Sequence, residues 1–360
     1  MATTHAMEKR NRQNKAPFQL LLLPAELRLQ VYLHLFSATR LAYGERVMTR
    51  ISPKYKRMKP APNSLAILRS CLLINREIES SWISQVLFTF ERVHDLLEKL
   101  SSVPRAVVER IRHIRVDANP LTSVRPLNYR NSVFVKLAWA LKLIPGLCLD
   151  TLTIIGDDRP ELTYAALDEL VRFGDEWREL YYVTVDSKML GFRRVQMFDQ
   201  TIYGRQPQPS TWARVVAGRD GADSGASVTM YRATVPNAPG AVMNAHNRRA
   251  FEQELQPGES IESFGVGEER ELMREGHARR ELLVIVQRGK HATLAGNATV
   301  PYHKDDIRHT ARVMTWPEVR EMHHWGPLTI EDDGGVTEDR QMVECDSYDD
   351  INEYNITPLD

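Results

Sequence analysis

The sequence predicts a fold of mixed helices and strands, in the α+β or α/β class. Three helix-then-strand units follow one another about every 30–40 residues, which implies parallel strands joined by crossover helices. An amphipathic helix precedes these units near the N-terminus. The chain has 360 residues, of which 42% are hydrophobic and 26% charged. This composition is typical of a folded protein with room for one large domain or two ordinary ones.

The first predicted helix is Leu20–Phe36. Pro24 suits a helix start, because a proline there loses no hydrogen bond and already has a helical φ. Apolar residues follow at intervals of three or four, which indicates one helix face: Leu23, Leu27, Val31, Tyr32, Leu35 and Phe36. Two interpretations stay open. The stripe is either an ordinary core face, or part of it contacts a second protein.

A basic connector, residues 41–63, separates this helix from a second helical segment. Prolines at 53, 60 and 62 break any long helix within the connector. Ser64 is a suitable N-cap for the segment that follows. One broad face is predicted from residues at helical spacing: Leu68, Leu72, Asn75, Ile78, Trp82 and Val86. The pattern then changes to a short strand that ends near Phe90.

Together these segments resemble the F-box-like modules of filamentous fungi. The resemblance rests on LPAELR at Leu23–Arg28 with Tyr32 behind it, on LLINREIE at Leu72–Glu79, and on LFTF at Leu87–Phe90. It covers roughly residues 18–117, and the long basic connector departs from a compact F-box. The module itself is placed at residues 18–92.

The resemblance implies a non-enzymatic interaction protein, a substrate-recognition subunit of a cullin-based ubiquitin ligase. Its partners would be the adaptor subunit of that ligase and a protein target. The adaptor would be contacted by these residues: Leu23, Pro24, Leu27, Val31, Ile78 and Trp82. The alternative is that the F-box-like fold only caps a single α/β domain and has no ligase role.

A helix–strand layer is predicted for residues 93–203. Its units are helical Val93–Val108 (interrupted at Ser101–Pro104) with strand Arg110–Asp117, helix Ser132–Ile144 with strand Leu149–Ile155, and helix Thr163–Trp177 with strand Glu179–Asp186. The leucine spacing before Ile155 also has the character of a degenerate leucine-rich repeat. The layer is therefore either a short α/β sheet or a degenerate repeat.

The remaining segment, residues 204–330, is predicted to pack on that layer. Trp212–Ala217 and Val228–Thr234 read as a hairpin with a long tip. Asn247–Leu255 and Glu268–Arg280 are helix-prone, and Glu281–Arg288 reads as a strand, while residues 301–322 show no clear period. The basic N-terminal residues 1–17 and the acidic residues 331–360 are predicted to be disordered.

The sequence contains no recognisable catalytic motif, and no cofactor or metal is predicted. Acidic residues follow two predicted strands, at Asp157, Asp158 and Asp186, where an enzyme would need them to converge in one pocket. Four histidines near the C-terminus lack the spacing of a zinc site: His303, His309, His323 and His324. Three separated cysteines suit free thiols in the cytoplasm or nucleus. Neither a membrane span nor nucleic-acid binding is expected, and the oligomeric state stays open.

Overall fold

An eight-stranded mixed sheet is the centre of the protein. The computed structural model describes residues 20–47, 55–57, 65–118, 121–122, 134–135, 137–156, 160–191, 194–197, 200–203, 210–250, 279–294 and 314–322. The sheet strands are β1 Arg40–Tyr43, β2 Leu87–Phe90, β3 His113–Asp117, β4 Leu149–Ile155, β5 Trp177–Thr184, β6 Ser227–Ala233, β7 Arg248–Ala250 and β8 Leu282–Gln287. They lie side by side in the order β1-β2-β3-β4-β5-β8-β6-β7. This sheet and the helices around it confirm the α+β class.

Strands β1 to β5 are parallel and adjacent in chain order. Because parallel strands need crossover connections, a helical segment stands between each pair. One row of paired residues, Phe88, Ile114, Leu152 and Leu180, lies within the main hydrophobic core. The predicted parallel strands with crossover helices are therefore confirmed, and β4 has the predicted bounds.

Eight α-helices are found in the described residues. They are α1 Ala25–Ser37, α2 Leu72–Ile78, α3 Val93–Ser101, α4 Arg105–Val108, α5 Leu137–Ala140, α6 Pro160–Phe173, α7 Ser210–Asp220 and α8 Trp316–Met322. Short 3-10 helices lie at Leu20–Leu22, Ala66–Arg69, Ser81–Ser84, Leu141–Leu143, Lys188–Gly191, Ala241–Met243 and Ala245–Asn247. Two-stranded hairpins pair Glu45–Val47 with Tyr55–Arg57, Leu121–Thr122 with Phe134–Val135, and Arg194–Met197 with Gln200–Tyr203.

The predicted hairpin of Trp212–Ala217 with Val228–Thr234 is wrong. Residues 212–217 lie in α7, where Trp212 is fully buried and its indole N–H donates to Asp168 Oδ1 of α6 at 3.0 Å. Strand β6 instead pairs with β8 and β7, both antiparallel. The short apolar run is compatible with either structure, and packing against α6 selects the helix. The predicted strand at Glu281–Arg288 is confirmed as β8, between β5 and β6.

Two predicted helices are shorter than expected. The continuous second helix breaks at Glu79, whose left-handed φ of 47° ends α2. Leu72, predicted on the same face as Ile78, is 76% exposed. Of the described residues in the predicted helix Ser132–Ile144, Leu137–Ala140 are α-helical, while Phe134–Val135 pair as a strand. Residues 316–322, which show no period in the sequence, form α8 on α3, with Trp316 Nε1 donating to Glu98 Oε2 at 3.1 Å.

The sheet crosses the predicted boundaries at residues 92 and 203. Strand β1 belongs to the connector, β2 to the predicted F-box-like module and β3 to the next segment, yet the three pair directly. One hydrophobic core extends from Tyr32 to Val319, and a smaller one on the other sheet face includes Tyr181 and Met243. The predicted tails (1–17 and 331–360) and most of the helix-prone residues 247–280 lie outside the described residues; Arg248–Ala250 form β7.

Replacement of Gly44, the residue after β1, by alanine should destabilise the protein by more than the ~1–3 kcal/mol that a positive φ alone costs. Gly44 has a φ of +107°, and an added Cβ would collide with the Asp95 side chain. That carboxylate is held by two Arg92 hydrogen bonds of 2.9 and 3.0 Å. Gly221→Ala is the control, because Gly221 has a φ of +98° but no atom within 4 Å of the added Cβ. The loss of unfolding free energy is measured by urea unfolding. Equal losses for Gly221→Ala and Gly44→Ala would contradict the predicted collision with Asp95.

Candidate partner-binding surface

Helix α1 is anchored to the protein by a narrow stripe. Its buried residues are Tyr32 and Phe36, which are 3% and 1% exposed and lie one helical turn apart. Just beyond the helix, the Thr39 hydroxyl donates to the Leu35 carbonyl at 2.7 Å, and the chain continues directly into β1. The anchored stripe thus places α1 at the β1 edge of the sheet.

A shared carboxylate joins α1 to α2. Arg28 Nε donates to Glu77 Oε2 at 3.1 Å, its Nη2 donates to Glu77 Oε1, and the Tyr32 hydroxyl donates to Glu77 Oε2 at 3.0 Å. Another Arg28 nitrogen donates to the Leu23 carbonyl, which holds the turn before the helix. Arg28 therefore connects the two sequence segments that carry the family resemblance, LPAELR and LLINREIE.

The protonation of this cluster follows from its hydrogen bonds. The guanidinium of Arg28 holds the pKa of Glu77 below its ordinary value, and Glu77 in turn raises the pKa of Arg28. Burial raises the pKa of Tyr32, with a further increase from its bond to Glu77. At neutral pH the cluster is therefore an ion pair with a neutral phenol, an arrangement that fixes the angle between α1 and α2.

Apolar side chains around this cluster are left in solvent. Twelve large hydrophobic residues are exposed in the described part of the chain, and nine of them belong to α1, the turn before it and α2. We define these nine as the N-terminal apolar surface: Leu21, Leu22, Leu27, Leu29, Val31, Leu33, Leu35, Leu72 and Leu73. Their exposed fractions range from 39% to 77%. Scattered exposed leucines are common, whereas a concentration of this kind is typical of interaction sites.

The apolar arc of α1 is wider than the surface that the chain itself covers. At 3.6 residues per turn, the flank of Leu27 and Val31 lies on one side of the buried Tyr32 stripe, and Leu29 and Leu33 lie on the other. Both flanks are exposed. A second surface would therefore be needed to remove the rest of this arc from water.

The predicted contact residues divide into two groups. Pro24, Leu27 and Val31 are exposed and Leu23 is half-buried, so these four lie at or beside the N-terminal apolar surface. By contrast Ile78 is 1% exposed and Trp82 is half-buried against the core. The prediction that Ile78 faces a partner is contradicted, because α2 turns Ile74 and Ile78 inward and presents Leu72 and Leu73 to solvent.

Sequence reasoning missed Leu29, Leu33, Leu72 and Leu73. A signal for the first two was present, because every odd position from Leu27 to Leu35 is apolar. Such alternation is typical of a strand, and on a helix it distributes apolar residues over two flanks. For α2 the predicted face put Leu72 together with Ile78, whereas residues six positions apart point about 120° away from each other on a helix.

No metal centre is found in the described residues. Asp186 forms an ion pair of 2.8 Å with Lys188. Asp157, Asp158 and the four histidines near the C-terminus (His303, His309, His323 and His324) lie outside the described residues. Within the described ranges no group of three His, Cys, Asp or Glu residues could hold a metal ion. Cys71 and Cys148 are free and half-buried. Among the described helices, none combines the length and apolarity that a bilayer crossing requires.

Comparisons with models of protein families, with characterised proteins and with solved structures find no match to this chain. The site must therefore be interpreted from its own geometry.

Proposed function

We propose that this chain is a non-enzymatic, F-box-like interaction protein. Its N-terminal apolar surface binds the adaptor subunit of a cullin-based ubiquitin ligase, and the rest of the fold presents a protein target. The observation that carries the proposal is the concentration of nine exposed apolar side chains on and around the two segments that resemble the F-box-like module. The sequential parallel order of β1 to β5 is also compatible with a degenerate leucine-rich repeat as the target-presenting part.

The physical case for binding rests on rigidity and on apolar area. Because Glu77 holds Arg28 and Tyr32 together, the leucines of α1 and α2 are presented in a defined arrangement, and little conformational entropy is lost on binding. Burial of a fully exposed leucine contributes about 1.5–3 kcal/mol. Several half-exposed leucines together could therefore drive the association of two proteins.

The alternative function, a module that only caps the α/β domain, has a clear requirement. Leu20 to Leu27 would have to be buried within the same chain. Leu20 does pack against the core, but Leu21, Leu22 and Leu27 are 49%, 77% and 46% exposed. The exposure of these side chains favours the partner-binding function.

Replacement of Leu27 and Val31 by aspartate should reduce adaptor binding at least about tenfold, because it places two charges in the centre of an apolar interface. Both residues are already partly exposed, so the fold should be kept. Binding is measured by pull-down and calorimetry with the purified adaptor, with folding checked by circular dichroism.

The matched control is Val235→Asp, which alters an apolar residue of similar exposure, 52%, in a loop far along the chain. It should bind the adaptor like the wild type. The proposal fails if the wild-type protein captures no adaptor, or if the double variant binds as strongly as the control.

A further inference from the structure

The exposed side of α2 carries a positive charge between two leucines. Leu72 and Leu73, which belong to the N-terminal apolar surface, are 76% and 48% exposed, and Arg76 is exposed about one turn further along. At about 100° per residue, Arg76 lies about 40° from Leu72 and about 60° from Leu73, between the two. The buried Ile74 and Ile78 are on the opposite side of the helix. Arg76 is therefore in the middle of the solvent-facing arc of α2.

Arg76 forms no side-chain hydrogen bond and no ion pair within the part of the chain that the structure describes. The acidic residue next to it, Glu77, accepts hydrogen bonds from Arg28 and Tyr32 of α1 instead. Glu79 is the C-cap residue, beyond the last turn of α2. Helical side chains tilt toward the N-terminus of their helix, so the guanidinium extends over the turn that carries the two leucines.

This side of α2 adjoins the apolar flank of α1. The ion pair of Arg28 with Glu77 marks the sides by which the two helices face each other. Leu73 is about one turn before Glu77, and Val31 is about one turn after Arg28. Leu73 and Val31 therefore line the groove between the helices, where they are 48% and 39% exposed. One partner can cover this groove and Arg76 together.

A partner that covers the two leucines of α2 also removes Arg76 from water. Burial of the leucines favours association, but a guanidinium that loses its water without gaining an acceptor opposes it strongly. A carboxylate compensates best, because it accepts two parallel N–H donors of arginine. An entirely apolar partner would therefore bind this surface poorly, and a partner with a carboxylate among its apolar residues would bind it well.

We propose that the N-terminal apolar surface selects a partner helix that carries an aspartate or glutamate within its apolar stripe, and that Arg76 is the specificity-determining residue. The inference rests on the proposed function, because it names the partner chemistry of the same surface. The backbone of a helix is hydrogen-bonded internally, so such a partner contacts α1 and α2 through side chains at i, i+3 or i+4, and i+7 spacing. The leucines contribute apolar area, and the pairing of Arg76 with a carboxylate discriminates against partners of the wrong charge.

Synthetic helical peptides with leucines at i, i+4 and i+7 test this inference. A glutamate is placed in turn at each position in and beside the leucine stripe, and each peptide is compared with its glutamine counterpart by fluorescence anisotropy. At least one glutamate peptide should bind the full chain at least about tenfold more tightly than its counterpart. Arg76→Gln should abolish this preference, and Arg76→Glu should favour a lysine counterpart. Arg214→Glu, which reverses an exposed charge on α7, should keep the wild-type preference.

Three results would overturn the inference. Every glutamate peptide could bind as its glutamine counterpart does, or Arg76→Glu could keep the wild-type preference, or none of the peptides could bind. A second copy of the chain as the occupant is a further contradicting result. Light scattering would then show a dimer that Leu73→Asp separates into monomers.

The purified adaptor distinguishes a failure of this inference from a failure of the proposed function. If the adaptor does not bind the wild type but the peptides show the expected preference, the adaptor role fails and the carboxylate requirement holds. If the adaptor binds the wild type and Arg76→Glu equally, and the peptides show no preference, the carboxylate requirement alone fails.

Discussion

Replacement of Phe36 by alanine is expected to destabilise the protein by about 3–5 kcal/mol, the usual cost of removing a buried aromatic ring. Phe36 is 1% exposed and is one of the two buried residues that hold α1 on the core. Strand β1 follows immediately and its backbone is paired to β2, which restricts relaxation into the space. Urea unfolding followed by far-UV circular dichroism measures the loss.

Leu33→Ala provides the matched control on the same helix. Leu33 is 48% exposed and lies on a flank of α1, so its truncation should change the free energy of unfolding by less than about 1 kcal/mol. The contrast between the two variants reports which side of α1 faces the core. Similar losses for Phe36→Ala and Leu33→Ala would mean that the assigned orientation of α1 is incorrect.

The second large effect concerns a buried charge network at the end of the sheet where β5 begins. Lys142 Nζ lies 2.5 Å from Asp175 Oδ1 and 3.3 Å from Glu176 Oε1. The other oxygen of Glu176 accepts the Asp175 N–H at 3.0 Å. A second buried pair, Arg288 with Asp220, stands at the same edge, and Arg288 also donates to the Gly174 carbonyl at 3.1 Å.

The pKa values of the two carboxylates in this network are shifted in opposite directions. Burial raises the pKa of Glu176 to about 8, with a further increase from the negative charge of Asp175 and only partial compensation by Lys142. Burial also opposes ionisation of Asp175, but hydrogen bonds from Glu176 and Lys142 outweigh it and hold its pKa below the ordinary value. One proton therefore remains on Glu176 at neutral pH, while Asp175 carries the charge that neutralises Lys142.

Protonated Glu176 stabilises the folded state at low pH. Because its folded pKa is above the ordinary value of 4.5, this contribution is fully present below pH 4.5 and is lost as the pH rises through about 8. Glu176→Gln, a neutral isostere, should match the wild type near pH 4.5 and become more stable than it by about 1–3 kcal/mol at pH 9.

The measurement is the difference between the unfolding free energies of the two proteins across this pH range. The difference removes contributions that both proteins share, such as those of His94 and His113, whose pKa values burial lowers. A difference that stays constant from pH 4.5 to 9 would show that Glu176 is not the titrating group.

Strands were predictable where their apolar residues are continuous. Leu149–Ile155 and Leu282–Gln287 lie in the middle of the sheet, are covered on both faces, and have dense apolar sequences for that reason. Trp212–Ala217 is just as apolar but forms part of a helix, because Trp212 packs onto Tyr164 and bonds to Asp168. A run of six residues does not contain the information about those partners.

The candidate surface was predictable only in part. The segments LPAELR and LLINREIE indicated the right region, and Pro24, Leu27 and Val31 are exposed within it. The burial of Ile78 agrees with the predicted helix face, but Leu72 was assigned to that same face and is exposed, since two residues six positions apart point about 120° away from each other on a helix.

By itself, the sequence determined that parallel strands alternate with helices. The spacing of apolar residues and the positions of turn residues are properties of short segments, so they do not depend on contacts with distant parts of the chain. Only the tertiary structure decided which stripe of α1 is buried. Glu26, Gln30 and His34 make one side of the helix polar, but most of its remaining surface is apolar enough to enter a core. The tertiary structure also decided the joining of Arg28 to Glu77 and of Arg232 to Ser187, which are separated by 49 and 45 positions. Such pairings depend on how segments that are distant in sequence meet in the fold.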